Sequence, residues 1–203
     1  MQVSILTELW DIENDIDSIK ELFIRINTIL KLNKRYMDYM TVDGAPVKTD
    51  FQDYIEDRIK DISQIDIITI SQKRLNDNLL VTANEYLTGT IPQLNGLVDS
   101  FYKGASEGSW QKFGDLVEGF LYIHKVTEAL STSETDYNTL NGMLEPFVND
   151  FNIKLVMLLE VAEQRDSLQI ADIINYEIKP LLENFNVLLE TTIDSEVVRD
   201  DLH

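Results

Sequence analysis

Apolar residues recur at Ile12, Ile16, Ile19, Phe23, Ile26 and Leu30, in alternating steps of four and three that place them on one face of a helix. Asp11, Glu13, Asp15 and Asp17 load the start of this segment, where the helix dipole favours negative charge. The spacing predicts a helix over about 11–33 and leaves open whether Leu6, Leu9 and Trp10 join it. The period then changes. Tyr36–Val42 is aromatic and β-branched, Asp43-Gly44 follows, and then Ala45-Pro-Val47. Asp-Gly between two such runs is a hairpin signal, because a type I′ turn needs positive φ at both central residues. Pro46 confines the second strand to an edge or a very short run. Phe51, Ile55, Ile59 and Ile62 return to helical spacing behind Thr49 or Asp50 as cap, and Ile65–Ile70 is β-branched and strand-like.

From Gln72 the pattern is helical almost to the end. Leu75 through Phe101 predict a helix over 72–103, interrupted by Gly89 and Pro92 and so kinked or divided in two. Gly104–Gly108 reads as a loop, with Ser109 as the cap of a helix to about 130. Ser131–Asp136 is a polar, cap-rich connection. Helices over 136–163 and 167–191 follow, containing Pro146 and Pro180, and residues 194–203 read as a frayed tail. The fold class expected is mainly α: a bundle of about five to seven helices in one domain, 1–203, sharing one core. A small inserted β module within 36–70 has a hairpin near 36–48 and a strand near 65–70. Tyr36, Tyr39, Ile65, Ile67 and Ile70 are the candidates to pack that module onto helix 11–33.

Two segments of the C-terminal half echo one another at an offset of 57 residues. Asp115-Leu116 overlays Asp172-Ile173, Val98 overlays Leu155 and Phe101 overlays Leu158. Either a duplicated helical hairpin or coincidence between two amphipathic patterns accounts for it.

Composition narrows function by exclusion. The 203 residues carry 36 Asp and Glu against 17 Lys and Arg, a formal charge of −19. Such a surface repels phosphate backbones and anionic lipid, and the short clusters Lys31, Lys34, Arg35 and Lys73, Arg74 are no basic footprint, so neither nucleic acid nor a membrane is expected as partner. With no Cys, disulfides, thiol nucleophiles and Cys-zinc sites are absent. The first residues have no basic n-region and no apolar run is long enough to span a bilayer, so the expected location is cytoplasmic.

Val42-Asp-Gly44, Tyr54-Ile55, Tyr86-Leu87, Ile91-Pro92, Phe101-Tyr102, Trp110, Asp115-Leu-Val-Glu-Gly119 and Ile170–Leu182 together resemble a family of mainly helical proteins of Bacillus-like Gram-positive bacteria. The resemblance covers about residues 20–190. It rests on packing and capping patterns and implies a bacterial, cytosolic, mainly helical protein with no established activity.

Candidate chemistry is thin. The two histidines are His124, flanked by apolar helical positions, and the terminal His203, so a catalytic triad would rest on His124 alone. No Glu-x-x-His pair suits a dimetal centre. Asp11–Asp17 lacks the glycine of a calcium loop, having Ile16 at that place. Gly104–Ser109 lacks the Lys-Ser/Thr ending of a phosphate loop. No cofactor and no metal are expected. The residues singled out as recognition or interhelix contacts are Asp43 and Gly44 in the turn, and Asp115, Glu118 and Asp172 on the helices. The expected function is that of a non-catalytic, acidic, helical interaction protein, adaptor-like or chaperone-like, whose proline-interrupted helices leave a groove for a basic partner. A self-assembling structural subunit is the alternative, and a carboxylate-based small-molecule binder or enzyme a third.

Overall fold

A computed structural model describes residues 1–133 and 137–197. The chain divides into two compact units, Met1–Leu75 and Asn76–His203. The buried hydrophobics form two clusters, one within residues 3–67 and one within 80–193, where the helix faces had suggested one shared core.

The first unit holds a five-stranded sheet in the order β2-β1-β5-β3-β4. Its strands are β1 (Gln2–Ile5), β2 (Glu8–Asp11), β3 (Arg35–Val42), β4 (Ala45–Val47) and β5 (Gln64–Ser71). β1 runs parallel to β5, and the other pairs are antiparallel. The N-terminal hairpin answers what the spacing left open, since Leu9 and Trp10 belong to β2, and the helix expected from about residue 11 starts at Ile16. Its turn places Leu6 at φ 53, a residue type that gives no turn signal. Helix α1 (Ile16–Leu32) starts behind Asp15, whose carboxylate accepts from Ser18 N at 2.8 Å. Its buried face is Ile19, Leu22, Ile26, Ile29 and Leu30, so the stripe is rotated from the expected one and Ile16 stands exposed. Helix α2 (Phe51–Arg58) is tied to the start of α1 by Asn14, which donates to the carbonyls of Ile59 (2.7 Å) and Ile62 (2.8 Å).

One sheet face, made of Val3, Ile5, Met40, Val42, Val47, Ile65 and Ile67, is buried with α1. Of the five residues expected there, Ile65 and Ile67 are in it. Tyr36 and Ile70 pair with one another on the opposite side, and Tyr39 pairs with Ile68. Tyr39 and Ile70 fall out of phase with the inward-facing Met40 and Val42 of β3 and Ile65 and Ile67 of β5, while Tyr36 is turned outward and Met37 inward by a bulge at Asp38, between Met37 and Tyr39, which shifts the alternation of β3 by one residue.

The second unit is helical. Helix α3 (Gln72–Tyr102) is continuous through Pro92, and the Gln93 side chain donates to the Gly89 carbonyl at 2.8 Å beside that proline. Helix α4 (Glu107–Ser131) is capped by Ser106, not Ser109. The two serines form a reciprocal capping box, each side chain accepting from the other's backbone N–H at 3.2 Å. Asp115 therefore lies nine residues after its cap and Asp172 six after Asp166, so the 57-residue echo is out of register with the caps. Helix α5 spans Leu144–Glu163, with residues 138–143 in turns. Pro146 lies in its first turn, where no N–H is required. Residues 134–136 of the polar connection lie outside the described residues.

The last helical run consists of α6 (Ser167–Asp172), a π-helical segment (Ile173–Ile178) and α7 (Lys179–Glu196). Ile170, Ile174, Ile178 and Leu182 recur in steps of four, and all are fully buried. At 3.6 residues per turn each step of four drifts by about 40°, and the wider π turns keep the row on one face. Pro180 in the first turn of α7 supplies no N–H to the π segment, which is consistent with the widening there. α7 reaches Glu196, whose carboxylate accepts from Thr139 N (2.7 Å) and Asn138 N (2.8 Å). Residues 194–196 are thus anchored, not frayed, and 198–203 lie outside the described residues.

Candidate functional site

Two helices of the second unit present the same spacing to a common groove. Met143, Pro146, Phe147 and Asp150 at α5 face Leu181, Asn184, Phe185 and Leu188 of α7, each set at i, i+3, i+4 and i+7. The groove has a volume of about 260 Å³ and runs for two helical turns. Its floor is aromatic: Phe147 and Phe185 stack with centroids 3.8 Å apart and planes 10° from parallel, and Phe147 also stacks on Phe151. Its rim is open, with Met143 56% exposed. Two rows at helical spacing over an apolar floor fit the anchors of a third helix.

The electrostatics around the groove are one-sided. Residues 76–203 hold 22 of the chain's 36 acidic residues and 7 of its 17 basic ones, a balance of −15. Over 144–197 the basic residues are Lys154, Arg165 and Lys179, and each is engaged. Lys154 pairs with Glu177 at 2.6 Å and Asp150 at 3.4 Å, and the Glu177 carboxylate holds its ammonium pKa above the usual lysine value. Lys179 donates to Asn95 at 2.8 Å, and Arg165 lies over the Trp110 ring.

The residues singled out in sequence are dispersed. Asp43 and Gly44 occupy the β3–β4 turn, with φ of 50° and 83°. The Asp43 carboxylate accepts from the backbone N–H of Ser63 (3.0 Å) and Gln64 (2.8 Å), so it pins the turn to the head of β5. Asp172 is exposed and accepts from the Tyr102 hydroxyl at 2.5 Å, joining α6 to α3. That hydrogen bond, which only the protonated phenol can donate, raises the Tyr102 pKa, and the negative charge of Asp172 adds to the effect. Glu118 is exposed on α4. Asp115 lines a cavity.

That cavity is a cleft of about 620 Å³ between α3 and α4, lined by Tyr86, Thr90, Gln93, Leu94, Gly96, Leu97, Lys112, Asp115 and Leu116. It straddles Pro92. Burial raises the pKa of the Tyr86 phenol, which therefore stays protonated at neutral pH. Among the described residues no group of three or more His, Asp and Glu is gathered as a metal set, and no helix is long and apolar enough to cross a membrane.

A groove was expected beside the proline-interrupted helices, but its lining was not named, because Leu181 and Leu188 flank the buried row Leu182, Phe185, Leu189. The usable signal was the pair of matching i, i+3, i+4, i+7 sets. Both cavities fall almost wholly within residues 78–187, the span matched by the family model described as Domain of unknown function (DUF8042). No curated protein and no solved structure matches the chain.

Proposed function

Because the chain belongs to this family of unknown function, its role has to be drawn from its own surface, and we propose that it is an acidic interaction protein whose α5–α7 groove receives the apolar face of a basic amphipathic helix. The observation that carries this reading is the pair of i, i+3, i+4, i+7 rows over the Phe147–Phe185 floor. The occupant's charge follows from the surroundings: an excess of carboxylates, with every basic side chain of 144–197 already engaged. Apolar contacts would supply affinity and the charge complement would supply orientation and encounter rate.

The test is a titration with a synthetic basic amphipathic helical peptide, followed by fluorescence anisotropy. Binding should weaken by about tenfold or more on Met143→Glu or Leu188→Glu, which place a charge against an apolar anchor. It should persist in Val187→Glu, at a position 61% exposed on α7 and outside the groove. It should also weaken with rising salt. No binding, or binding indifferent to the groove substitutions, would refute the proposal. Self-association is the competing outcome, through the exposed strip Ile153, Val156 and Met157 of α5. A dimer in sedimentation equilibrium that is lost on Ile153→Glu would favour it.

A further inference from the structure

The α3–α4 cleft has a different chemistry from the groove. Its floor is apolar, with Leu94, Leu97 and Leu116 each at most 7% exposed, and its volume of about 620 Å³ lies in the range of small-molecule sites. At the back, Tyr86 is fixed by Gly119 of α4: a β-carbon at that glycine would occupy the place of the phenolic oxygen. At the mouth, Lys112 and Asp115 stand three residues apart on α4 and are both exposed. Among the described residues neither side chain makes an ion pair or hydrogen bond, with the other or with any other group. Opposite charges one turn apart ordinarily gain from pairing. Here both charges stand open beside an apolar cleft. Gly96 adds no side chain to the lining, and a β-carbon there would meet nothing within 4 Å.

We infer that this cleft is a site for a small zwitterion with an apolar body, the chemistry of a free apolar amino acid. Lys112 would take the ligand carboxylate and Asp115 its ammonium. Leu94, Leu97 and Leu116 would cover its side chain, and the Tyr86 hydroxyl would close the far end. A ligand with one charge would leave the opposing group of the protein uncompensated, so both charges are required.

The experiment uses the full chain with L-phenylalanine and L-leucine as probes. Binding is read by calorimetry and by the shift of the thermal transition, beside two singly charged analogues, phenethylamine and 3-phenylpropionate. The amino acids should bind and each analogue should bind about tenfold or more weakly. Lys112→Gln should abolish the preference for L-phenylalanine over phenethylamine, and Asp115→Asn its preference over 3-phenylpropionate. Gly96→Leu, which fills the open space, should abolish binding with no loss of the urea midpoint. No binding of either amino acid at concentrations on the order of 10 mM, equal binding of a singly charged analogue, or binding that survives Gly96→Leu would overturn the inference. These outcomes are independent of the α5–α7 groove, none of whose lining residues is changed.

Discussion

The phenolic end of Tyr86 on α3 occupies the place that a β-carbon would take at Gly119 of α4, beside the cleft between these helices. Any side chain at residue 119 would displace the phenol. Gly119→Ala should therefore destabilise the protein by about 1–3 kcal/mol, the cost of overpacking exceeding the gain in helix propensity. In a Tyr86→Ala background the same substitution should be neutral or stabilising by about 1 kcal/mol, a coupling visible in a double-mutant cycle of urea midpoints. Gly114→Ala, where a β-carbon meets nothing within 4 Å, is the control and should stabilise by roughly 0.5–1 kcal/mol.

The helical core turns on Phe151, which is fully buried and contacts Phe120 edge-on and Phe147 in a stack. Phe151→Ala should cost about 3–5 kcal/mol through lost burial and the cavity left behind. A loss under about 1 kcal/mol in chemical denaturation would show that the core is less closely packed there.

Asp43 should behave as a structural acceptor. Asp43→Ala removes the acceptor of the Ser63 and Gln64 amides and places alanine at positive φ, for a loss of roughly 1–2 kcal/mol. Asp43→Asn keeps a carbonyl acceptor and tolerates that backbone, so it should lose less. Hydrogen exchange at Ser63 and Gln64 should accelerate in the alanine variant.

How much of this was legible depended on whether a signal was local. Asp43-Gly44 announced its hairpin because two adjacent positive φ values restrict residue type. The N-terminal hairpin turns at Leu6, and its strands are four residues each, so Ile12 and Ile16 extended the apparent helix instead. The α1 face was displaced for the same reason. Asp38 shows a second limit: a bulge is one unpaired residue, yet it reverses which of Tyr36 and Met37 faces the core. Of the site residues, Asp115 was placed at a cavity, while Asp43 and Asp172 are bonded within the fold. The α5–α7 groove depends on how two helices sit side by side, and no single period encodes that.

Acid should act partly through Asp66. Its carboxylate accepts from Ser4, then from Gln64 and Thr41, and these bonds hold its pKa below the ordinary 3.8. A depressed folded pKa contributes stability that is present above the unfolded value and lost as pH falls through the folded one. Stability should decline as pH drops below about 3.8. Asp66→Asn should flatten that part of the profile while lowering stability at neutral pH, as read from urea midpoints across pH. A profile unchanged by the substitution would show that Asp66 does not contribute to the acid dependence.

Occupation of the α5–α7 groove is read residue by residue by amide chemical-shift mapping of the isotope-labelled chain on titration with the basic amphipathic peptide. The largest perturbations should fall at 143–150 and 181–188 and be attenuated by Met143→Glu and by added salt. Perturbations confined to the sheet unit, spread without focus over the acidic surface, or absent at saturating peptide would contradict occupation of the groove.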